Sequence, residues 1–373
     1  MGRTVAAILI VLGLAACEPR GEIVVVPEAA RANAVESVYV GTTRAADPQT
    51  GDAFSKDRSQ VTRYARLDVA IPPDRKPGEI RWTPPRRKPD PRTDFLTTHE
   101  ELYSDAPTFR ADLARALAKE RRNTREAVIF VHGFNTTFAE GAYRLAQLGH
   151  DLGLHGALVH YSWPSLGHPL GYAYDRDSAL FARDGLESLL DEVVAAGAER
   201  MVIVAHSMGS ALTMETLRQL AISRNAAVQR RIAAVVLISP DIDVDVFRAE
   251  AMRIGTLPKP FLIFTSKKDR ALALSARLSG QRDRLGNVTD VTEIADLNVT
   301  LLDTTAFSTG TGHFNAGNSP ALLAILGRIA DVDAALAASQ VGRPGLLPGA
   351  VLTVQSATQI VLSPVAAISG ITP

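Results

Sequence analysis

The segment that decides the fold is Met201-Val202-Ile203-Val204-Ala205-His206-Ser207-Met208-Gly209. Its four leading apolar residues are typical of a strand buried on both faces of a sheet, and helical spacing of apolar residues follows as far as Ala221. A serine between strand and helix, with small residues two positions before and after it, matches the G-x-S-x-G turn that exposes a nucleophile. Ala205 replaces the first glycine and stays small. We predict that Ser207 is a nucleophile; the alternative is a helix N-cap.

Similar apolar runs lie on both sides of this segment. We predict further strands at 38–40, 67–71, 127–131, 157–161, 233–238, 261–264 and 299–302, and helices at 109–119, 138–152 and 177–194. Strands separated by helices of about ten or more residues form βαβ units. The sequence therefore predicts an α/β fold, with a mostly parallel doubly wound sheet and helices on both faces, in one domain over residues 35–340.

The N-terminus has the pattern of an export signal. Arg3 precedes the apolar run Val5–Leu14, which at about ten residues is too short to span a bilayer. The ending Leu14-Ala15-Ala16-Cys17 resembles a bacterial lipobox, and Cys17 is the only cysteine. We expect residues 1–16 to be a lipoprotein signal peptide and lipid on Cys17 to anchor the protein to a membrane, facing the periplasm or the cell surface. The alternative is an ordinary signal peptide.

The remaining segments are expected to be irregular. Residues 17–34 resemble a flexible tether, and the Pro- and Arg-rich residues 74–92 a surface excursion. Residues 341–373 carry almost no charge and contain interrupting prolines, so we expect a disordered or loosely packed tail. Lys+Arg and Asp+Glu both total 40 without a basic stripe, which argues against a nucleic-acid partner.

The catalytic base is predicted to follow the nucleophile. In folds of this kind the chain order is serine, then acid, then histidine. His313, in Gly310-Thr311-Gly312-His313-Phe314 after the last strand, meets this order; the alternative is a surface-loop histidine. His132 precedes the serine, so we expect His132 and His206 to shape loops through hydrogen bonds.

Two positions are candidates for the acid. Asp269 follows the strand at 261–264 and is favoured, because the acid usually follows the penultimate strand. Asp241, with Asp243, follows the strand at 233–238 and is the alternative. Asp241 and Asp243 are equally suited to capping the helix that begins near Val246.

Two backbone N–H groups are predicted to form an oxyanion hole. Met208 begins the helix after Ser207, where the helix dipole favours negative charge. Phe134 lies in the loop after the strand at 127–131, and Gly133 before it permits close backbone approach.

The chain resembles a bacterial α/β-hydrolase family catalogued as a domain of unknown function. The matching pieces are Val40-Gly41-Thr42-Thr43-Arg44, His132-Gly133-Phe134-Asn135, Tyr161-Ser162-Trp163-Pro164-Ser165, Tyr174-Asp175-Arg176-Asp177-Ser178, Ala205-His206-Ser207-Met208-Gly209, Pro240-Asp241-Ile242-Asp243, Asp269 and His313-Phe314. The resemblance implies an α/β-hydrolase fold and Ser-Asp-His chemistry, and almost nothing about the substrate. For the loop at Trp163 it leaves open whether it lines the site or has a structural role.

These features predict a serine hydrolase that cleaves acyl esters through an acyl-enzyme, with a small-molecule or lipid ester as substrate. Acyl transfer by the same triad is one alternative, and a non-catalytic lipid-anchored binding or scaffold protein is another. We expect no metal or organic cofactor, because no residues have metal-ligand spacing and the glycines near His313 fit neither a phosphate loop nor a dinucleotide motif.

Overall fold

The computed structural model describes residues 20–47, 53–278, 280, 283–307, 346–356 and 359–366. Its strands are β1 (Ala34–Ala46), β2 (Phe54–Ile71), β3 (Leu96–Tyr103), β4 (Glu126–Val131), β5 (Ala157–Ser162), β6 (Arg200–His206), β7 (Ile232–Ile238), β8 (Phe261–Thr265), β9 (Thr300–Asp303), β10 (Leu346–Ser356) and β11 (Gln359–Ala366). Its α-helices are α1 (Ala106–Leu117), α2 (Phe138–Leu152), α3 (Tyr172–Phe181), α4 (Arg183–Ala195), α5 (Met208–Ser223), α6 (Ala226–Gln229), α7 (Val244–Ile254) and α8 (Arg270–Leu278).

These strands form one sheet in the order β3-β2-β1-β5-β4-β6-β7-β8-β9-β10-β11. In the sheet, the neighbouring strands of the series β1-β5-β4-β6-β7-β8-β9-β10 run parallel. The pairs β1-β2, β2-β3 and β10-β11 are antiparallel. One apolar core packs α1, α4, α5 and α7 against one face, and a second packs α2 against the other. The predicted mostly parallel, doubly wound α/β-hydrolase fold is confirmed.

The strand order places a crevice beside the nucleophile. From β4 the chain passes through α2 to β5 on one side, then returns over the opposite face through α3 and α4 to β6 on the other. Where connections diverge in this way, the loops at the carboxyl ends of the two strands separate and leave a binding crevice. The loops that follow Val131 and His206 therefore face each other across this crevice.

The first three strands differ most from the sequence prediction. Only the last five residues of β2 were predicted as strand, and β3 was not predicted. Both contain polar and charged residues that are exposed or half-buried, because this antiparallel part of the sheet leaves one side partly in water and lacks the continuous apolar run of a central strand. The helix predicted at 177–194 is two helices that meet at Ala182.

Residues 20–34 pack on the domain, so the expected flexible tether is wrong over this part. Arg20 forms a 2.7 Å ion pair with Glu140. Val26 N–H donates to the Thr97 carbonyl at 2.7 Å, and Ala29 is fully buried. Backbone pairing to the edge of β3 holds this segment, and Val24 and Val26 pack against buried residues that include Ala29 and Leu96. Cys17 lies outside the described residues.

The C-terminal tail also differs from the expectation of a disordered or loosely packed segment. β10 adds to the sheet parallel to β9, and β11 returns antiparallel beside β10. Both segments are uncharged and rich in valine, leucine and isoleucine, residue types that favour strands.

The excursion at 74–92 has no helix or strand and docks on α2, as a surface loop would. Arg75 forms a buried ion pair with Asp151, and Trp82 stacks on Tyr143 with ring centroids 5.0 Å apart.

Among the described residues, no helix has the combined length and hydropathy needed to cross a membrane.

A buried carboxyl group between α5 and α7 predicts a pH-dependent stability. Glu250 is 4% exposed, and burial, followed by the nearby Glu215 carboxylate, raises the pKa of Glu250 to about 8. The folded pKa exceeds the unfolded value, so the folded state holds an extra proton and its stability falls as pH rises from about 4.5 to about 8.

We predict that Glu250→Gln removes this part of the slope and stabilises the protein at about pH 9 by on the order of 1–3 kcal/mol. Urea unfolding between about pH 5 and about pH 9 measures the effect. Glu28→Gln, at an exposed position, is the control and should retain the wild-type slope. Glu250→Gln protein whose stability falls with pH as steeply as that of the wild type would contradict this role of Glu250.

Candidate active site

Ser207 occupies a strained turn between β6 and α5. Its backbone angles are φ 51° and ψ −122°, and the residue is 3% exposed. A positive φ at a non-glycine residue costs roughly 1–3 kcal/mol and persists only where the surroundings enforce it. Ser207 lies at the N-cap position of α5, but its side chain accepts no helix N–H, so capping does not account for the serine. The strand-turn-helix context predicted for a nucleophile is present.

Two glycines allow the turn to pack closely against the loop between β4 and α2 (residues 132–137), here called the β4–α2 loop. A Cβ on Gly209 would lie 2.2 Å from the His132 carbonyl oxygen. A Cβ on Gly133 would lie 2.9 Å from Ser207 Cβ and 2.6 Å from His206 Nδ1. All three distances are shorter than a van der Waals contact, so this close approach requires glycine at both positions.

The predicted oxyanion donors lie on the two sides of this contact. Met208 is the first residue of α5, and the leading N–H groups of a helix have no intrahelical acceptor. On the other side, the Gly133 carbonyl oxygen lies 2.9 Å from His132 Nδ1. A trans peptide points its C=O and N–H in opposite directions, so the Phe134 N–H points away from the His132 ring.

His132 has the structural role expected for it. Its ring stacks on Trp163 at 4.7 Å, and its Nε2 lies 3.0 Å from the Trp163 carbonyl oxygen. The Trp163 indole N–H donates to the His132 carbonyl at 2.7 Å. Burial, then the nearby Arg44 charge, holds the pKa of His132 well below its usual range. Both residues are buried, so Trp163 shapes the β4–α2 loop from behind and does not line the crevice.

The candidate acids have different surroundings. Asp269 is 2% exposed, and its Oδ1 accepts the Leu272 N–H at 3.0 Å near the start of α8. Asp243 caps α7 by accepting the Val246 N–H at 3.1 Å, which is the structural role that the sequence left open. His313 lies outside the described residues, so its position relative to Ser207 stays a prediction.

Asp241 already has several partners. Its Oδ1 accepts the Ser275 hydroxyl at 2.6 Å and lies 3.2 Å from Arg284 Nε. Its Oδ2 accepts the Tyr172 hydroxyl at 3.0 Å. Arg284 is 5% exposed, so Asp241 balances a buried positive charge. Asp241 therefore has a structural role in holding Arg284, and the choice of Asp269 as the acid stays a prediction.

A cavity of about 320 Å³ opens beside Met208 between α3, α5 and α7. Its apolar lining includes Tyr172, Leu180, Leu212 and Val246. Among the described residues, no cluster of three or more His, Cys, Asp or Glu side chains is arranged to hold a metal ion. The lining of this cavity also includes the charged residues Arg176, Glu215 and Glu250, so the space beside Met208 has an apolar side and a charged side.

Three buried polar residues escaped functional assignment from the sequence, namely Arg44, Ser165 and Asp175. Each of the three is at most 2% exposed, and they lie together behind the β4–α2 loop. In the sequence they are marked only by their presence in three of the motifs that resemble the family. Arg44 lies more than a hundred residues before Ser165 and Asp175, so no local pattern connects them.

Comparisons with known proteins agree with this fold. The family model described as "Alpha/beta hydrolase of unknown function (DUF900)" matches residues 106–328. No curated protein is significantly similar to the chain.

Three solved structures illustrate the structural similarity. The Pyrococcus furiosus esterase Pf2001 is 12% identical over 84% of this chain and 99% of its own, with a TM-score of 0.37. Thermogutta terrifontis esterase 2 phosphorylated by paraoxon is 12% identical over 75% of this chain and 91% of its own, with a TM-score of 0.31. Aspergillus fumigatus lipase B is 15% identical over 39% of this chain and only 38% of its own, with a TM-score of 0.27.

The contact between Gly133 and Ser207 predicts that Gly133→Ala sharply reduces any serine-dependent activity. The added Cβ has to displace either the turn or the β4–α2 loop, and losing one oxyanion donor typically costs about 10²–10³-fold in rate. Ester hydrolysis per folded molecule measures the effect. Gly153→Ala is the control for a general loss of stability, because its φ of 57° strains an added side chain at the end of α2 while the new Cβ meets no atom within 4 Å. Wild-type activity in folded Gly133→Ala would contradict the packing argument.

Proposed function

The chain belongs to the family of α/β hydrolases of unknown function (DUF900), and we propose that it is a serine hydrolase that cleaves carboxylic esters. The observation that carries the proposal is the strained turn at Ser207, against which Gly133 packs at a distance that no larger residue tolerates. A protein that needed only a helix start at this position would have no reason to maintain the strain.

In the proposed mechanism Ser207 Oγ attacks the ester carbonyl while His313 accepts its proton and Asp269 orients the imidazole. The carbonyl π electrons move to the oxygen, which the N–H groups of Met208 and Phe134 stabilise. The tetrahedral intermediate then expels the alcohol, which takes the proton from His313, and leaves an acyl-enzyme on Ser207. Water repeats these steps and releases the acid.

The cavity beside Met208 supports an ester with a short or medium apolar group. Its volume of about 320 Å³ is at the small end of ligand sites. Long acyl chains would extend from it into solvent. With p-nitrophenyl esters, we therefore expect turnover to favour short and medium chains.

Fluorophosphonate labelling tests the nucleophile directly, because the probe phosphonylates an activated serine and releases fluoride. We expect wild-type protein to be labelled, and Ser207→Ala to lose the label together with at least about 10³-fold of its esterase activity. Ser210→Ala is the matched control on the next turn, because that hydroxyl donates to the Ala205 carbonyl at 3.2 Å. It should keep label and activity. Folded wild-type protein that takes up no label would refute the proposed function.

The choice of acid predicts different results for two isosteric variants. Asp269→Asn should keep the fold and lose on the order of 10³–10⁴-fold in kcat, as triad acids do. Asp241→Asn should lower stability, because Arg284 loses its charged partner, and should keep most of the activity per folded molecule. Urea unfolding and esterase assays on both variants separate the two roles. The reverse pattern would make Asp241 the acid.

A further inference from the structure

The β4–α2 loop adopts a backbone conformation that needs external support. Asn135 has φ 55°, in the left-handed region that asparagine enters at a modest cost. Asp175 Oδ2 accepts the Asn135 N–H at 3.1 Å. Ser165 Oγ accepts the Thr136 N–H at 3.1 Å, and Arg44 donates to the Thr136 carbonyl at 2.9 Å. Three successive peptide groups after Phe134 are therefore held by buried side chains.

These side chains form one connected group, here called the Asp175 cluster (Arg44, Ser165 and Asp175). The Ser165 hydroxyl donates to Asp175 Oδ2 at 2.6 Å, and Arg44 donates to the Ser165 carbonyl at 3.1 Å. Asp175 Oδ1 accepts the Leu166 N–H at 2.7 Å. Three donors thus converge on a fully buried carboxyl group, and only a carboxylate accepts from all three without presenting a donor of its own.

Charge balance explains how this group tolerates burial. Burial raises the pKa of Asp175, and its three hydrogen bonds and the Arg44 charge oppose that rise. Burial likewise lowers the pKa of Arg44 to about 10, and Asp175 is the largest opposing influence. Arg44 and Asp175 are both hydrogen-bonded to Ser165, and each charge offsets part of the cost of burying the other.

The cluster acts on the peptide group that follows Phe134, and His132 acts on the one that precedes it. On one side the Gly133 carbonyl faces His132 Nδ1, and on the other the Asn135 N–H faces Asp175. A residue whose two flanking peptide groups are both fixed has little freedom left to reorient its own N–H.

We propose that Asp175, supported by Arg44 and Ser165, is a positioning residue that aims the Phe134 N–H at the oxyanion formed on Ser207. The inference rests on the proposed function and extends it to residues that do not touch the substrate. Oxyanion donors have to be within a few tenths of an ångström of their best position, because their effect depends on preorganisation.

The test compares Asp175→Asn with Asp177→Asn, which removes the same charge from an exposed position on the same helix. Active sites are counted by fluorophosphonate titration, so that kcat refers to reactive molecules only. We expect Asp175→Asn to lower kcat for p-nitrophenyl acetate about 10–100-fold with KM nearly unchanged. The inhibition constant of an aryl trifluoromethyl ketone, whose serine adduct carries an oxyanion, should rise by a similar factor. Asp177→Asn should match the wild type.

Ser165→Ala provides a second, milder variant in case Asp175→Asn does not fold. It removes the acceptor of the Thr136 N–H and keeps both charges, so we expect a smaller loss in kcat, about 10-fold, and again little change in KM. Fewer titrated sites with wild-type kcat per site would show a purely structural role and overturn the inference. Wild-type protein that reacts with neither ester nor fluorophosphonate would instead refute the proposed function, and this inference with it.

Discussion

The backbone of Ser207 has to turn back on itself within one residue, and the arrangement around it follows from that constraint. A positive φ at serine is unfavourable by itself, so neighbouring contacts have to enforce it. The Ser207 N–H donates to the Ile238 carbonyl at 2.9 Å, and its own carbonyl accepts from Asp241 N–H at 3.2 Å. Gly209 then lets α5 begin directly against the His132 carbonyl. Backbone hydrogen bonds from the end of β7 and the residues after it thus help to hold the buried serine in its strained conformation.

Polar groups buried behind the site extend the same principle to the opposing loop. His132 and Trp163 hold one end of the β4–α2 loop through a stacked pair and reciprocal hydrogen bonds, and the Asp175 cluster holds the other. Such networks are costly to bury unless every donor and acceptor is satisfied, and once satisfied they favour a single arrangement. A loop that presents an N–H to a developing charge needs this rigidity, because its donor is effective only when it is oriented in advance.

Sequence reasoning succeeded where a pattern is local and failed where structure depends on distant residues. The central strands and α2 were predictable because an apolar run or a helical repeat is complete within one segment. β3 and the first part of β2 were not, because their polar faces hide the pattern. Residues 20–34 and the tail differ for a related reason, since their order comes from pairing with a sheet edge.

The site shows the same division. Ser207 could be found from the residues immediately around it, and Asp243 was one of two readings that local spacing allowed. The role of Asp175 could not be found in this way, because its partner Arg44 lies 131 positions earlier in the chain. Only the folded chain brings their charges together.

The proposed function requires Ser207 to carry the acyl group during turnover. Rapid acid quenching of the full chain with p-nitrophenyl acetate, followed by peptide mass spectrometry, measures this most directly. We predict an acetyl group on the peptide that contains Ser207, appearing within the first turnover and absent from Ser207→Ala. Wild-type protein that hydrolyses the ester but carries acetyl groups only on other residues, or on none, would contradict this role of Ser207.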